Sequence, residues 1–167
     1  MKTAWAGAYG ISLPSLGNDP EDAEFENSRI LLEPLVPKSG PIRSGENIAL
    51  AQALRDTAGD PNDLGLEHLA QFVADHPDSR WIPAVQLNRG LLLCQSGFYS
   101  RAEVAYKMVW EMGKDEAGLV KPLVDLALSE LMRFYCGSGK LDSLHEQMKL
   151  MENRRPEGFA ARQYETA

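Results

Sequence analysis

From position 46 onward, apolar residues recur at intervals of three and four positions, a spacing that predicts amphipathic helices. The apolar face of the first helix consists of Ile48, Leu50, Ala51 and Leu54. Glycine and proline in the run 59–61 end this helix. Asp63 is placed to cap the next helix, because an aspartate carboxylate accepts hydrogen bonds from the free N–H groups of a first turn. We predict that this second helix continues as far as His76 and Pro77.

Two further pairs of helices are predicted downstream, each with a glycine at the turn between its members. In the middle pair, Pro83 suits a first helical turn and Gly97 ends the first helix. Ser100 and Glu103 have the spacing of a capping box for the second helix. In the last pair, the run 137–139 forms the turn. The pattern therefore predicts three helix pairs, at residues 46–79, 82–113 and 122–155.

The first 45 residues have a different composition from the rest. They contain five of the ten prolines and five of the fourteen glycines of the chain. Pro34, Pro37 and Pro41 exclude a long helix there. The apolar runs 30–32 and 35–36 predict one short piece, extended or helical, that docks on the helical body; a partner-binding tail is the alternative. The chain thus divides into an irregular Pro/Gly-rich arm, a helical-repeat domain, and the start of a further helix or a tail, at residues 1–45, 46–158 and 159–167.

In the middle pair, five positions have a characteristic spacing. A small residue lies midway along the first helix, a glycine lies at the turn, and an aromatic, a small and an aromatic residue follow, namely Gly90, Gly97, Tyr99, Ala102 and Tyr106. The stretch from Leu87 to Tyr106 resembles a tetratricopeptide repeat, a helix–turn–helix unit of about 34 residues. The resemblance implies an all-α fold, a right-handed stack of about three antiparallel helix pairs. Because Leu144 stands where the family has a small residue, we expect the last two helices to be pushed apart.

The same resemblance implies a groove, lined by the first helix of each pair, that binds a partner protein or peptide. Carried over to this sequence, the partner-binding residues are Leu87, Asn88, Leu91, Gln95, Ser129, Glu130 and Arg133. Asn88 stands where some family members use an asparagine to hold a peptide backbone or a terminal carboxylate. The lysines that complete such a carboxylate clamp are absent from these positions. The alternative role for Asn88 is to cap or bridge neighbouring helices.

A longer stretch carries a second resemblance. The runs 76–81, 88–91, 97–102 and 110–114 resemble the helical-repeat region near the N-terminus of large bacterial proteins that carry a C39-type peptidase and Rhs repeats. That resemblance implies an alternative function. The chain is then the helical region of a larger secreted or surface protein, without its enzymatic part.

Composition excludes several classes of partner. The chain has 167 residues, a net charge of −7 and a pI near 5.0. Nucleic-acid binding needs basic patches that displace counterions, so this acidic balance argues against it. No run approaches the roughly 20 apolar residues of a membrane span, and the first residues lack the apolar core of a secretory signal.

The two cysteines predict free thiols rather than a disulfide. Cys94 and Cys136 are separated by the same interval as Gly97 and Gly139, which places them at equivalent positions of successive helix pairs. Neighbouring helices lie about 8–10 Å apart, too far for an undistorted disulfide. We predict two buried thiols, which favour a reducing, cytoplasmic location; export stays open if the chain is a fragment.

The sequence contains no recognisable catalytic or metal-binding pattern. The histidines have no zinc spacing, and Cys94 follows an apolar run that makes a thiol unreactive. We therefore predict no enzymatic activity, no cofactor and no metal. The predicted function is protein–protein interaction or scaffolding through helix faces. Self-association through the last pair and contact with the rest of a larger chain are alternatives.

Overall fold

The computed structural model describes residues 16–60, 62–63, 66–152, 154–158 and 160–161, and every regular element in these ranges is a helix. The predicted all-α class is therefore confirmed. The seven helices of this part of the chain are α1 (Asp22–Ser28), α2 (Glu46–Gly59), α3 (Glu67–Asp75), α4 (Ile82–Gln95), α5 (Tyr99–Gly113), α6 (Lys121–Ser138) and α7 (Leu141–Met151). The predicted further helix or tail lies outside the described residues, apart from Ala160 and Ala161.

The prediction that Asp63 is the N-cap of α3 is wrong, because the N-cap residue is Leu66, but Asp63 still stabilises the first turn. Its carboxylate accepts hydrogen bonds from the backbone N–H groups of Glu67 and His68, the second at 3.4 Å. It does so from three residues before the N-cap residue, Leu66. At the end of α4, Gly97 has a φ of 82°, a left-handed conformation that favours glycine.

Glu103 links α5, α6 and the start of α7 instead of capping α5. Its carboxylate accepts a hydrogen bond from the Tyr135 hydroxyl at 2.9 Å. It also pairs with the ammonium groups of Lys107 at 2.7 Å and Lys140 at 2.8 Å. The predicted capping box with Ser100 is wrong, because these partners engage the carboxylate and no side chain caps α5.

This cluster predicts an acid-sensitive contribution to stability. Burial alone raises the pKa of Glu103, but hydrogen bonds from Lys107, Lys140 and Tyr135 outweigh it and lower the pKa from 4.5 to about 2. The stability that such a carboxylate adds is fully present above its unfolded pKa and is lost as pH falls through the folded value. We expect Glu103→Gln to lower the free energy of unfolding by about 1.5–3 kcal/mol at neutral pH. Urea unfolding at a series of pH values measures this.

The loss caused by Glu103→Gln should shrink as pH falls from 4.5 towards 2. Glu111→Gln is the matched control on the same helix. Glu111 pairs with Lys114 at 2.9 Å, but its side chain is 65% exposed, so its removal should change stability by less than about 1 kcal/mol. A Glu103→Gln loss that is equal at neutral and acid pH contradicts this interpretation.

The central helix of the fold is α4. Eleven of its fourteen residues are buried, and it packs against α3, α5 and α6. Just before it, the buried ring of Trp81 lies 4.9 Å from the ring of Phe25 in α1. Midway along it, a Cβ at Gly90 would lie 2.5 Å from Cε1 of Tyr106. The glycine therefore lets the aromatic ring of α5 lie directly on the backbone of α4.

The described part of the arm, residues 16–45, packs on the helical body. It includes α1, an element that the sequence analysis did not predict, whose Phe25 is completely buried. Arg29 then takes a left-handed conformation with φ 45°, and a non-helical stretch follows. We call residues 30–38 the arm segment. Its buried side chains are Ile30, Leu35 and Val36.

The helix that closes the described fold, α7, adds little to the core. Of its eleven residues only Met151 is buried, and Leu141 is 61% exposed. Leu144, which we expect to push the last pair apart, is half-buried against the core. The apolar side of α7 is therefore largely open to solvent.

Both cysteines are free, but the prediction that both are buried is wrong. Cys94 is half-buried and Cys136 is exposed. Each lies in the last turns of its helix, α4 or α6. Residues 136–141 are all exposed, so the thiol of Cys136 lies beyond the packed part of α6.

Candidate functional site

Asn88, at the middle of α4, holds the backbone of the arm segment. Its Oδ1 accepts a hydrogen bond from the N–H of Glu33 at 2.7 Å, and its Nδ2 donates to the carbonyl oxygen of Glu33 at 3.0 Å. The same Nδ2 also donates to the carbonyl oxygen of Ala84 at 2.9 Å. Asn88 is fully buried, so its amide is fixed in the orientation that pairs both backbone groups of one residue. We call this arrangement the Asn88 clamp.

The arm segment runs antiparallel to α4; it bends at residues 31–33 and is close to extended from 34 to 38. Glu33 lies opposite Asn88, whereas the N–H of Lys38 donates to the carbonyl oxygen of Arg80 at 2.9 Å. Eight residues of helix span about 12 Å at 1.5 Å per residue, and five extended residues span about 16 Å at 3.3 Å per residue. Pro34 contributes to this conformation, since the residue before a proline favours extended backbone.

A buried polar network fixes the arm at the start of α4. Arg80 donates to Glu46 at 2.9 Å and pairs with Asp22 of α1 at 3.1 Å. Asn47 donates to the carbonyl oxygen of Pro20 at 3.0 Å and accepts a hydrogen bond from the indole N–H of Trp81 at 2.8 Å. The arm is thus held by polar contacts at α1 as well as by the Asn88 clamp.

The charge on Glu46 is stabilised in this network despite its burial. Burial alone raises the pKa of Glu46. Hydrogen bonds from the N–H of Arg43, from Arg80 and from Ser79 outweigh that effect, so its pKa is lowered. The carboxylate therefore stays ionised and binds the Arg80 guanidinium, which reaches on to the arm.

A pocket of about 310 Å³ lies near the C-terminal end of α4. Its lining comes from α4, α5, and α6, namely Cys94, Tyr99, Glu130, Arg133, Phe134, Gly137 and Ser138. The rings of Tyr99 and Phe134 stack at 6.2 Å and form an aromatic wall. Arg133 pairs with the buried carboxylate of Glu130, so the two charged groups of the pocket neutralise each other.

The seven residues predicted to line a groove differ in their exposure and in their partners. Asn88 binds the arm, and Leu87 is buried in the same hydrophobic cluster as the apolar residues of the arm. Glu130 and Arg133 line the pocket. The remaining three differ in exposure: Leu91 is half-buried, Gln95 exposed and Ser129 buried.

The main feature that the sequence analysis missed is the network around Arg80. Its members come from three distant parts of the chain, Asp22, Glu46 and Arg80. Neither spacing nor composition brings such residues together. The arm segment did carry a signal, because its apolar runs between prolines predicted a piece that docks on the body.

Comparisons of the chain with protein-family models, with curated proteins and with solved structures find no match. The site must therefore be interpreted from its own geometry. Among the described residues, no group of three or more histidine, cysteine, aspartate or glutamate side chains is arranged to hold a metal ion. In the same part of the chain, no helix combines the length and apolarity needed to span a membrane.

Proposed function

We propose that this protein is a non-catalytic protein-interaction module that binds an extended peptide segment along α4. The observation that carries the proposal is the Asn88 clamp, in which one buried amide pairs with the N–H and the carbonyl of Glu33. Paired backbone hydrogen bonds recognise an extended chain, and neighbouring apolar sites supply selectivity. The occupant of the site is at present the protein's own arm segment.

Two further observations support a binding role. The buried apolar side chains of the arm segment flank the clamped residue on both sides, at positions 30, 35 and 36. In the nearby pocket, the carboxylate of Glu130 is already paired with Arg133, which suits a docking surface better than an acid–base centre. Both features fit recognition of a peptide by shape and backbone.

For the architecture, we propose a right-handed stack of antiparallel pairs similar to tetratricopeptide repeats. The pairs are α2 with α3, α4 with α5, and α6 with α7, and the two helices of each pair are in contact. Support comes from Gly90, whose missing Cβ lets Tyr106 approach α4 as the resemblance implies. In this arrangement α4 is the first helix of the middle pair, so Asn88 lies on the face that lines the groove.

A selection of displayed random peptides on the full-length chain tests the function. Because Asn88 also holds the arm, its effect is measured in the full-length chain whose arm is weakened by Leu35→Ser plus Val36→Ser. Selected peptides should bind this chain, and should bind it at least about tenfold more weakly when Asn88→Ala is added, since the loss of one buried hydrogen-bonding partner costs on the order of 1.4 kcal/mol. Gln71→Ala is the control, because Gln71 is an exposed amide on α3 that is paired only with Asp75 of the same helix among the hydrogen bonds described, and it is not among the predicted groove residues. It should leave binding unchanged. Circular dichroism checks that both variants are folded.

Two outcomes count against the proposal. Either no peptide binds the folded chain, or the selected peptides bind the arm-weakened chain equally with and without Asn88→Ala. In the second case peptides bind elsewhere, and the clamp is only a structural bridge between the arm and α4.

A further inference from the structure

We infer that the arm segment competes with a partner protein for the Asn88 clamp. The partner binds there through a segment of the same chemistry as the arm. That chemistry is a peptide with an apolar side chain three residues before the clamped residue, a bend at the clamped residue, and a proline followed by two apolar residues after it. The inference rests on the function proposed above. It adds the kind of partner and the step that controls its access.

The contacts of the arm define what the site accepts. Asn88 bonds to the N–H and the carbonyl of Glu33 and not to its side chain, so it requires a free N–H at that position of a peptide. Selectivity comes from the buried side chains of the segment. These are Ile30, Leu35 and Val36, which are 4%, 2% and 6% exposed. Because Pro34 restricts the backbone, little conformational entropy is lost on binding. A partner segment that reproduces these features makes the same contacts.

The arm segment can leave the site without unfolding of the helical body, because the helices on either side of it have separate contacts. Residues 39–45, which connect it to α2, are all exposed. At the other end, α1 has its own anchors, the buried ring of Phe25 and the pair between Asp22 and Arg80. The segment between these two points is held by the clamp, by three apolar side chains, by the bond from the N–H of Lys38 to Arg80, and by hydrogen bonds from Ser39 to the exposed carboxylate of Glu116. Its release therefore leaves the contacts of α1 and α2 intact.

Competition should weaken partner binding to the resting protein. A tethered segment acts at an effective concentration on the order of millimolar. The apparent affinity for a partner falls in proportion to the fraction of molecules with an open site. Weakening the arm should therefore strengthen binding of an external peptide, although the arm itself makes no contact with that peptide.

The test uses a fluorescein-labelled peptide with the sequence of residues 29–39, Arg-Ile-Leu-Leu-Glu-Pro-Leu-Val-Pro-Lys-Ser. Fluorescence anisotropy compares full-length wild type with the arm variant Leu35→Ser plus Val36→Ser. We expect the variant to bind the peptide at least about tenfold more tightly. A control peptide with an N-methyl group on the glutamate nitrogen lacks the N–H donor and should bind the variant at least about tenfold more weakly.

A second measurement needs no variant and protects the test against a folding defect. Excess peptide added to wild type should speed hydrogen exchange of the Glu33 amide, because the displaced arm loses its partner. Size-exclusion chromatography with light scattering reports the mass of each sample. It should show one chain per particle with and without peptide.

The outcomes separate the inference from the proposed function. Equal peptide affinity in wild type and the arm variant overturns the inference, because the arm then does not compete. Binding of displayed peptides that depends on Asn88 but differs in chemistry from the arm also overturns it, and leaves the proposed function standing. A doubled mass without peptide overturns it as well, because the arm of a second copy is then the occupant. If no peptide binds, both the inference and the proposed function are overturned.

Discussion

Replacing Arg80 by methionine is expected to lower the free energy of unfolding by about 3–5 kcal/mol, because it leaves a buried carboxylate without its counterion. Nε of Arg80 lies 2.9 Å from Oε1 of Glu46, and the two side chains are 8% and 1% exposed. Methionine retains part of the aliphatic packing of arginine, so the loss reports mainly on the ion pair. Urea unfolding at neutral pH measures it.

The effect of Arg80→Met should depend on pH. In wild type the pKa of Glu46 is lowered from 4.5, so its stabilising contribution is present above that value and is lost as pH falls. In the variant the pKa of Glu46 rises relative to wild type, because the hydrogen bond from the Arg80 side chain is lost while those from the N–H of Arg43 and from Ser79 remain. Protonation then removes the buried charge, and the stabilities of variant and wild type should converge in acid.

Arg43→Met is the matched control for this prediction. Arg43 pairs with Asp78 at 3.7 Å, and the two side chains are 53% and 78% exposed. Exposed pairs of this kind contribute less than about 1 kcal/mol. If Arg80→Met costs no more than Arg43→Met, the network around Glu46 does not hold the arm on the body.

The second large effect is expected from Gly90→Ala. The new Cβ would lie 2.5 Å from Cε1 and 2.7 Å from Cδ1 of Tyr106, whose ring is almost completely buried. Either the buried ring has to shift or α4 and α5 have to separate. Overpacking of this kind typically costs about 1–3 kcal/mol. Urea unfolding measures the change.

Two comparisons make the Gly90 prediction specific. Gly137→Ala is the same substitution in α6, where an added Cβ meets no atom within 4 Å. There alanine should stabilise the helix by about 0.5–1 kcal/mol, the opposite sign. In a Tyr106→Leu background the ring is gone, so the penalty of Gly90→Ala should shrink, whereas Tyr106→Phe should preserve it. If Gly90→Ala costs the same stability with and without the Tyr106 ring, the contact with that ring is not the cause of the loss.

The helices were predictable because their signals are local. Periodic apolar residues, Pro83 at a first turn and Gly97 after α4 each act within one or two turns of the chain. The capping box failed for the opposite reason. Glu103 has the right spacing to Ser100, but partners from α6 and the start of α7 compete for its carboxylate. Such partners are invisible to a local pattern.

The site could be predicted only in part for the same reason. The resemblance singled out Asn88 and left open whether it holds a peptide or bridges helices. The partner it binds is a backbone group of Glu33, 55 positions away, and a backbone group has no residue type to recognise. Cys136 shows a similar limit, because its exposure depends on how far the neighbouring helices extend.

The Asn88 clamp also affects which positions of the arm can change their amino acid during evolution. The amide bonds to the N–H and the carbonyl of residue 33 and not to its side chain. Every amino acid except proline, which lacks the N–H, can therefore form both hydrogen bonds. Burial raises the pKa of Glu33, so its charge is disfavoured there, and an uncharged residue should fit at least as well. Selection should therefore act weakly on position 33 and strongly on the apolar residues that flank it. A lineage could change the most central residue of its own arm and keep the arm in place.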